Sequence, residues 1–318
     1  MSIDLKPLAD VRRLRYIASL KPAQGKRFQP TGFPDLGAAV FSCDNHENLL
    51  VESSQSMANR LELTIWDSSE NDLIETLKGL SYVRVERDGD YLTSSIEEAH
   101  RINSPYILEG KNKDFFNELK EELAVLSDGP IDRHKLAETL LRYDINSLIH
   151  GVFLAKKELA GGRLRLSRAL SSFIEAEDSR LATSGGVKND HVDPSGDTKK
   201  GFGNVPFSRQ EYTATQINAY FSVDLAQLRG YGLGDEATEL LVILCLLKIR
   251  LLLDGDLRLR TACDLELDGD PHCTTEPNFD LPSAKDLHTA ASKLIQKVSG
   301  SFGGKDASNG VTTVSYKK

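Results

Sequence analysis

The chain has 318 residues, of which 40% are hydrophobic and 27% charged, with a net charge of −8. That balance excludes a disordered or collagen-like chain, and the length suits one large domain or roughly two ordinary ones. Cys43, Cys245, Cys263 and Cys273 are scattered with no C-x-x-C pair, which argues against a disulfide framework or structural zinc and for a reducing cytoplasm.

The first residues, "MSIDLKPLADVRRLRYIASL", lack the apolar core of a signal peptide. The most apolar run, "LLVILCLLKIRLLL", is broken by Lys248 and Arg250 and is shorter than the ~20 residues a membrane span needs. A soluble cytoplasmic protein with no membrane partner is expected. The acidic total argues against nucleic acid, but its distribution is uneven. Residues 11–60 carry seven Lys/Arg against four Asp/Glu, and residues 156–210 carry ten against seven, whereas residues 62–98 carry ten acids against three bases. A basic groove with an acidic back is compatible with that pattern.

In chain order, residues 12–21 alternate as a half-buried strand through Leu14, Tyr16, Ala18 and Leu20. A stiff loop, "KPAQGKRFQPTGFPDLG", follows. Ser53 or Ser54 caps a helix with Met57 and Leu61 on its buried side. "SYVRVERDGDYLTSS" predicts a hairpin turning at Asp88-Gly89, and Ser94 with Glu97 predicts a capping box. "DFFNELKEELAVL" and "DRHKLAETLLRYD" are helical; residues 147–156 and 163–177 suggest strands or a long β-arm. Residues 183–206 form a glycine-rich loop of the length that is usually functional or disordered. A strand at "TATQINAYFSVDLAQL", a strong helix after Gly234 and a strand at "LRLRTACDLEL" close the pattern, before a polar extension over 269–318 with a flexible tail. Strand, helix, hairpin strands, long insertion, strand, helix and strand match a ferredoxin-like βαββαβ core in an α+β chain, the topology of an RNA-recognition module, while period alone equally supports some other α+β sandwich. The expected division is a domain over 1–268, with a helical and hairpin insertion at about 84–146 and a β-arm with its Gly-rich loop at about 157–210.

"FQPTGFPDLGAA", "LLVESSQSMANRLE", "INSPYI", "HGVFLAKK", "GGVKND", "GFGNVPFSRQEYTA", "LRGYGLG" and "LRLRTACDLE" resemble the blocks of the guide-RNA-binding backbone subunit of subtype I-G (formerly I-U) CRISPR effector complexes, in the RAMP superfamily. The resemblance runs from about residue 14 to 267. It implies a modified RRM core with a thumb-like hairpin and helical insertions. It also implies copies lined up along one crRNA that is presented to target DNA. The implied partners are further copies of the chain, a fused small RAMP/processing subunit, a large subunit and a helicase-nuclease.

A backbone protein must hold RNA of any sequence, so phosphate and sugar contacts are the expected mode. In the first loop, Lys21, Lys26 and Arg27 supply charge, Gln24 and Gln29 supply neutral donors, and Gly25 lets main-chain amides approach a phosphate. Ser53, Ser54, Gln55 and Ser56 crowd a helix N-terminus, with Asn59 and Arg60 one turn on. His100, Arg101 and Asn103 are candidates for the thumb; Lys188 and Asn189 for a phosphate-approaching loop with Arg209 as partner. Phe202 and Phe207 are candidate stacking residues. No histidine pairs with an obvious catalytic partner, and His272-Cys273 near Cys263 lacks metal spacing. A non-enzymatic subunit without cofactor or metal is expected. Related subunits that cut RNA use an aspartate after the first strand, which makes Asp35 the one candidate for an alternative, endoribonuclease reading.

Overall fold

The computed structural model describes residues 3–33, 35–255, 257–304 and 307–317. In β1 (Leu14–Pro22), Leu14, Tyr16, Ala18 and Leu20 are buried while their neighbours face outward, the alternation of a sheet with one covered face. The loop then leads to β2 (Val40–Cys43) and β3 (His46–Glu52). Helix α1 (Ser54–Leu63) is capped by Ser53 Oγ, which accepts from the Ser56 amide, and it buries Met57, Ala58 and Leu61. β4 (Tyr82–Arg87) and β5 (Asp90–Ser94) turn at Asp88 and Gly89, both at positive φ as a tight hairpin demands. Helices α2 (Asp114–Leu123), α3 (Arg133–Tyr143) and α4 (Ile145–His150) follow. After them come β6 (Leu170–Glu177), β7 (Arg180–Lys188), β8 (Val205–Thr213) and β9 (Gln216–Val223). The last elements are α5 (Asp235–Asp254), β10 (Leu257–Arg260), β11 (Cys263–Leu267), α6 (Ala284–Val298) and β12 (Val311–Ser315).

The central antiparallel sheet runs β10-β11-β1-β9-β6-β3-β2. Its inner path, β11-β1-β9-β6, with α1 between β1 and β6 and α5 between β9 and β11, is the ferredoxin-like βαββαβ arrangement. α5 packs between this core and α6, which lays Leu287, Ala291, Leu294 and Ile295 over it. A helix covered on both sides can be apolar all round, which explains why "ELLVILCLLKI" lacks a polar face.

The second and third core strands are β6 and β9, not the β4–β5 hairpin that the order of elements suggests. That hairpin stands outside the central sheet and pairs with β12, which runs parallel to β4 from Val311↔Tyr82 to Ser315↔Glu86. The tail expected to be flexible is therefore a sheet strand over Val311–Ser315. Residues 145–150 are helix rather than strand, and only Val152–Leu154 extends. The Ser94–Glu97 capping contact forms, Glu97 N–H donating to Ser94 Oγ, yet no α-helix follows it; the chain passes through turns into a 3₁₀ turn at Arg101–Asn103. β7 and β8 form a long two-stranded arm in register from Arg180↔Thr213 to Lys188↔Val205. This arm is a separate two-stranded sheet outside the central one.

Candidate nucleic-acid interface

Leu14 and Leu170 both pair with Val223, so the start of β1, the start of β6 and the end of β9 lie at one border of the sheet. A groove of about 1700 Å³ opens there. Arg12, Arg13 and Arg15 reach it from the head of β1, Arg133 from the first turn of α3, and Arg163 and Arg165 from the short strand Leu164–Leu166, which pairs with Val152–Leu154. Arg13 is tied to Asp224 at 2.9 Å, and Arg163 donates to the carbonyls of Leu126, Ser127 and Gly129. Among the described residues, the guanidinium groups of Arg12, Arg15, Arg133 and Arg165 have no hydrogen-bond or ion-pair partner. The lining acids are Asp10, Asp224 and Glu276, and Asp224 is already engaged by Arg13 and by the Gln227 amide it caps. In a chain of net charge −8, this is a concentrated patch of unneutralised, donor-only groups suited to phosphate. Phe153, 54% exposed, stands at its edge as a stacking surface.

None of these arginines was singled out above. Apart from Arg133, on a helix, their signal is "RRLR" at 12–15 and "RLRLSR" at 163–168, where alternate residues share the outward face of an extended segment. The buried positions of these segments mark them as strands, and their outward positions carry the arginines.

The first loop lies at the other end of β1, roughly 26 Å from Leu14 at about 3.3 Å per residue. Its charges are largely spoken for. Lys21 contacts Asp268 at 3.1 Å and Glu266 at 3.5 Å, and Asp268 above all holds its pKa above the ordinary lysine value. Arg27 and Arg209 meet on one carboxylate, Glu211, at 3.2 and 3.6 Å. Gln24, Gly25 and Lys26 are exposed, Gly25 at φ +70° with open space around it, and Lys26 has no partner among the described residues. Gln29 is half-buried, its main-chain N–H donating to the Ala262 carbonyl and its main-chain carbonyl accepting from Arg260.

Arg260 also bonds the buried Glu52, which in turn holds Arg60; Arg60 donates further to the carbonyls of Arg258 and Leu259. Arg60 thus braces α1 against β10 rather than facing solvent. At the start of α1, Ser53 serves as its own cap, Ser54 and Ser56 are half-buried, and Gln55 and Asn59 are exposed. Arg101 is buried in a bidentate pair with Glu62, both contacts 2.7 Å, while His100 is exposed and Asn103 accepts from the Ala155 amide. These three sit at the 3₁₀ turn Arg101–Asn103, beside the short strand Val152–Leu154. Lys188 and Asn189 are exposed near the arm's tip, as are Phe202 and Phe207. The main-chain amides of Asp193, Gly203 and Val192 there donate to Asp190, whose pKa they lower. Asp35 is exposed, and no cluster of metal-ligating side chains occurs among the described residues. No described helix is long and apolar enough to cross a membrane.

The family model described as "CRISPR-associated protein GSU0053" matches residues 14–181. No match was found among curated proteins. Among solved structures, a chain of a "CRISPR RNA-guided surveillance complex, pre-nicking" is similar at 14% identity and TM-score 0.44, covering 90% of this chain and 86% of that one. The "crystal structure of Thermofilum pendens Csc2" is similar at 9% identity and TM-score 0.34, covering 94% and 80%. A further "CRISPR RNA-guided surveillance complex" chain is similar at 11% identity and TM-score 0.33, covering 96% of each.

Proposed function

The chain belongs to the family of the CRISPR-associated protein GSU0053, and we propose on that premise that it is a non-catalytic RNA-binding subunit of a guide-directed CRISPR effector. The observation that carries this reading is the arginine groove, with Arg12, Arg15, Arg133 and Arg165 unpartnered in an acidic molecule. Guanidinium groups grip phosphodiesters whatever the base, so the groove holds a strand of any sequence and leaves its base edges for pairing. Guide pairing with target DNA then supplies specificity.

In the finer reading the complex is of subtype I-G and acts in the cytoplasm. Further copies of the chain follow one another along the crRNA, beside a fused small RAMP/processing subunit, a large subunit and a helicase-nuclease. Lys26, with Arg27 and Arg209 around Glu211, and with Gln24, Gly25, Lys188 and Asn189, forms a second, weaker contact surface. The test is binding of the purified chain to labelled RNAs of unrelated sequence over a range of salt. Similar affinities with a common, steep salt slope are expected; sequence-selective binding without a salt slope, or cleavage abolished by Asp35→Ala, would overturn the reading.

A further inference from the structure

Next to the groove, and sharing Phe153, Arg165, Leu166 and Ser167 with it, lies a smaller cleft of about 730 Å³. His100, Arg101, His150 and Arg168 also line it. Behind them is a buried charge cluster. Glu62 grips Arg101, Lys248 Nζ contacts Asn146 Oδ1 at 2.7 Å and His150 Nε2 at 3.0 Å, and Asp144 accepts from Ser147 at 2.6 Å.

The hydrogen-bond pattern fixes the histidine tautomer. An ammonium group can only donate, so Nε2 accepts and the ring proton sits on Nδ1. Burial, then Lys248, push the His150 pKa well below its usual value, which keeps the ring neutral. That Nδ1–H has no partner, although the residue is only 1% exposed. Arg168 likewise has no hydrogen bond or ion pair among the described residues, and burial followed by Arg101 lowers its pKa. Asp144 Oδ1 and Asn146 Nδ2 are also unpartnered, but their residues do not line the cleft.

Three cations, Arg101, Lys248 and Arg168, therefore face two carboxylates, Glu62 and Asp144. The surplus charge and a buried donor meet at a cleft whose rim adds Arg165 and His100. Leaving such groups unmet is costly, and a tetrahedral oxyanion satisfies both. We propose that this cleft is a phosphoryl-binding subsite, with Arg168 as its ionic grip and the His150 Nδ1–H as its directed hydrogen bond.

The phosphoryl group has two sources: a phosphodiester of a strand lying in the adjoining groove, or a phosphomonoester such as a strand's 5′ end. The first source rests on the proposed function; binding of free phosphate does not. The test uses the full chain freed of nucleic acid, titrated with inorganic phosphate by calorimetry and by 15N NMR of the histidine rings. Saturable binding that moves the His150 Nδ1 resonance is expected, weakened about tenfold or more in Arg168→Gln, as for loss of a charge-assisted hydrogen bond. Lys293→Gln, exposed on α6 and outside both the cleft and the groove, should bind phosphate like the wild type. Equal phosphate binding by wild type and Arg168→Gln, or none by the wild type, would overturn the proposal. Matched RNAs with 5′-phosphate and 5′-hydroxyl ends separate the sources. A preference for the 5′-phosphate that is lost in Arg168→Gln identifies the monoester, and equal weakening of both RNAs identifies the diester. Phosphate binding without any RNA binding would leave the subsite standing and sink the proposed function.

Discussion

At the C-terminal end of β1, Lys21 rests on Asp268 and Arg27 on Glu211; at its N-terminal end, Arg12 and Arg15 extend into a groove with no acid holding them. The two ends carry similar residues, yet among the described residues the loop keeps one unpartnered cation, Lys26, where the groove gathers four. A cation already paired with a carboxylate has to give up that contact before a phosphate can use its charge. The count of basic residues in a segment therefore says less about polyanion binding than which of them are left without a partner.

The comparison is sharpest where a partner is removed from a buried cation. Glu62→Leu strands Arg101 and also takes a compensating charge from Lys248, so a loss of about 3–5 kcal/mol in unfolding free energy is expected by chemical denaturation. A change below 1 kcal/mol would mean that the pair is not holding the turn at Arg101 to α1. Lys248 itself offers a pH test. Its pKa, lowered from 10.5 to about 8 by burial, leaves the folded state with fewer protons than the unfolded state between those values. Stability attributable to this group should therefore rise with pH across that window, by about 3 kcal/mol in all. The rise should be absent from the wild-type minus Lys248→Met difference only if the ammonium is solvated in the folded protein. At the exposed end of the scale, Arg27→Ala should cost about 1 kcal/mol or less, since Arg27 is 55% exposed although Glu211 is nearly covered. Its thermal midpoint relative to wild type is the check.

The sequence showed its short-range physics well. β1 and α1 were legible because burial repeats at a period of two or of roughly three and a half within each segment, and α5 because a long, mostly apolar run is bounded by Gly234 and Gly255. The turn at Asp88-Gly89 was legible because two successive residues at positive φ need that chemistry. The choice of β6 over β4 as a core strand was not, since both alternate and only pairing with β9 separates them. Nor was the state of each cation: Lys21 and Asp268 are 247 residues apart along the chain, and no local pattern joins them. The groove had a local trace in "RRLR" and "RLRLSR", but whether those faces are open depends on α3 and on the segment around Asp224, which arrive from elsewhere.

The most direct measurement compares RNA affinity against salt for two variants, one losing three charges in the groove and the other two in the loop. Arg12, Arg15 and Arg165 are changed to glutamine in one, and Lys26 and Arg27 to alanine in the other. The log–log slope should fall by about 2 in the groove variant, at roughly 0.7 per single-strand phosphate contact, and by about 0.7 or less in the loop variant, where only Lys26 is free. A loop variant that loses as much slope as the groove variant, or a groove variant that keeps the wild-type slope, would contradict the account.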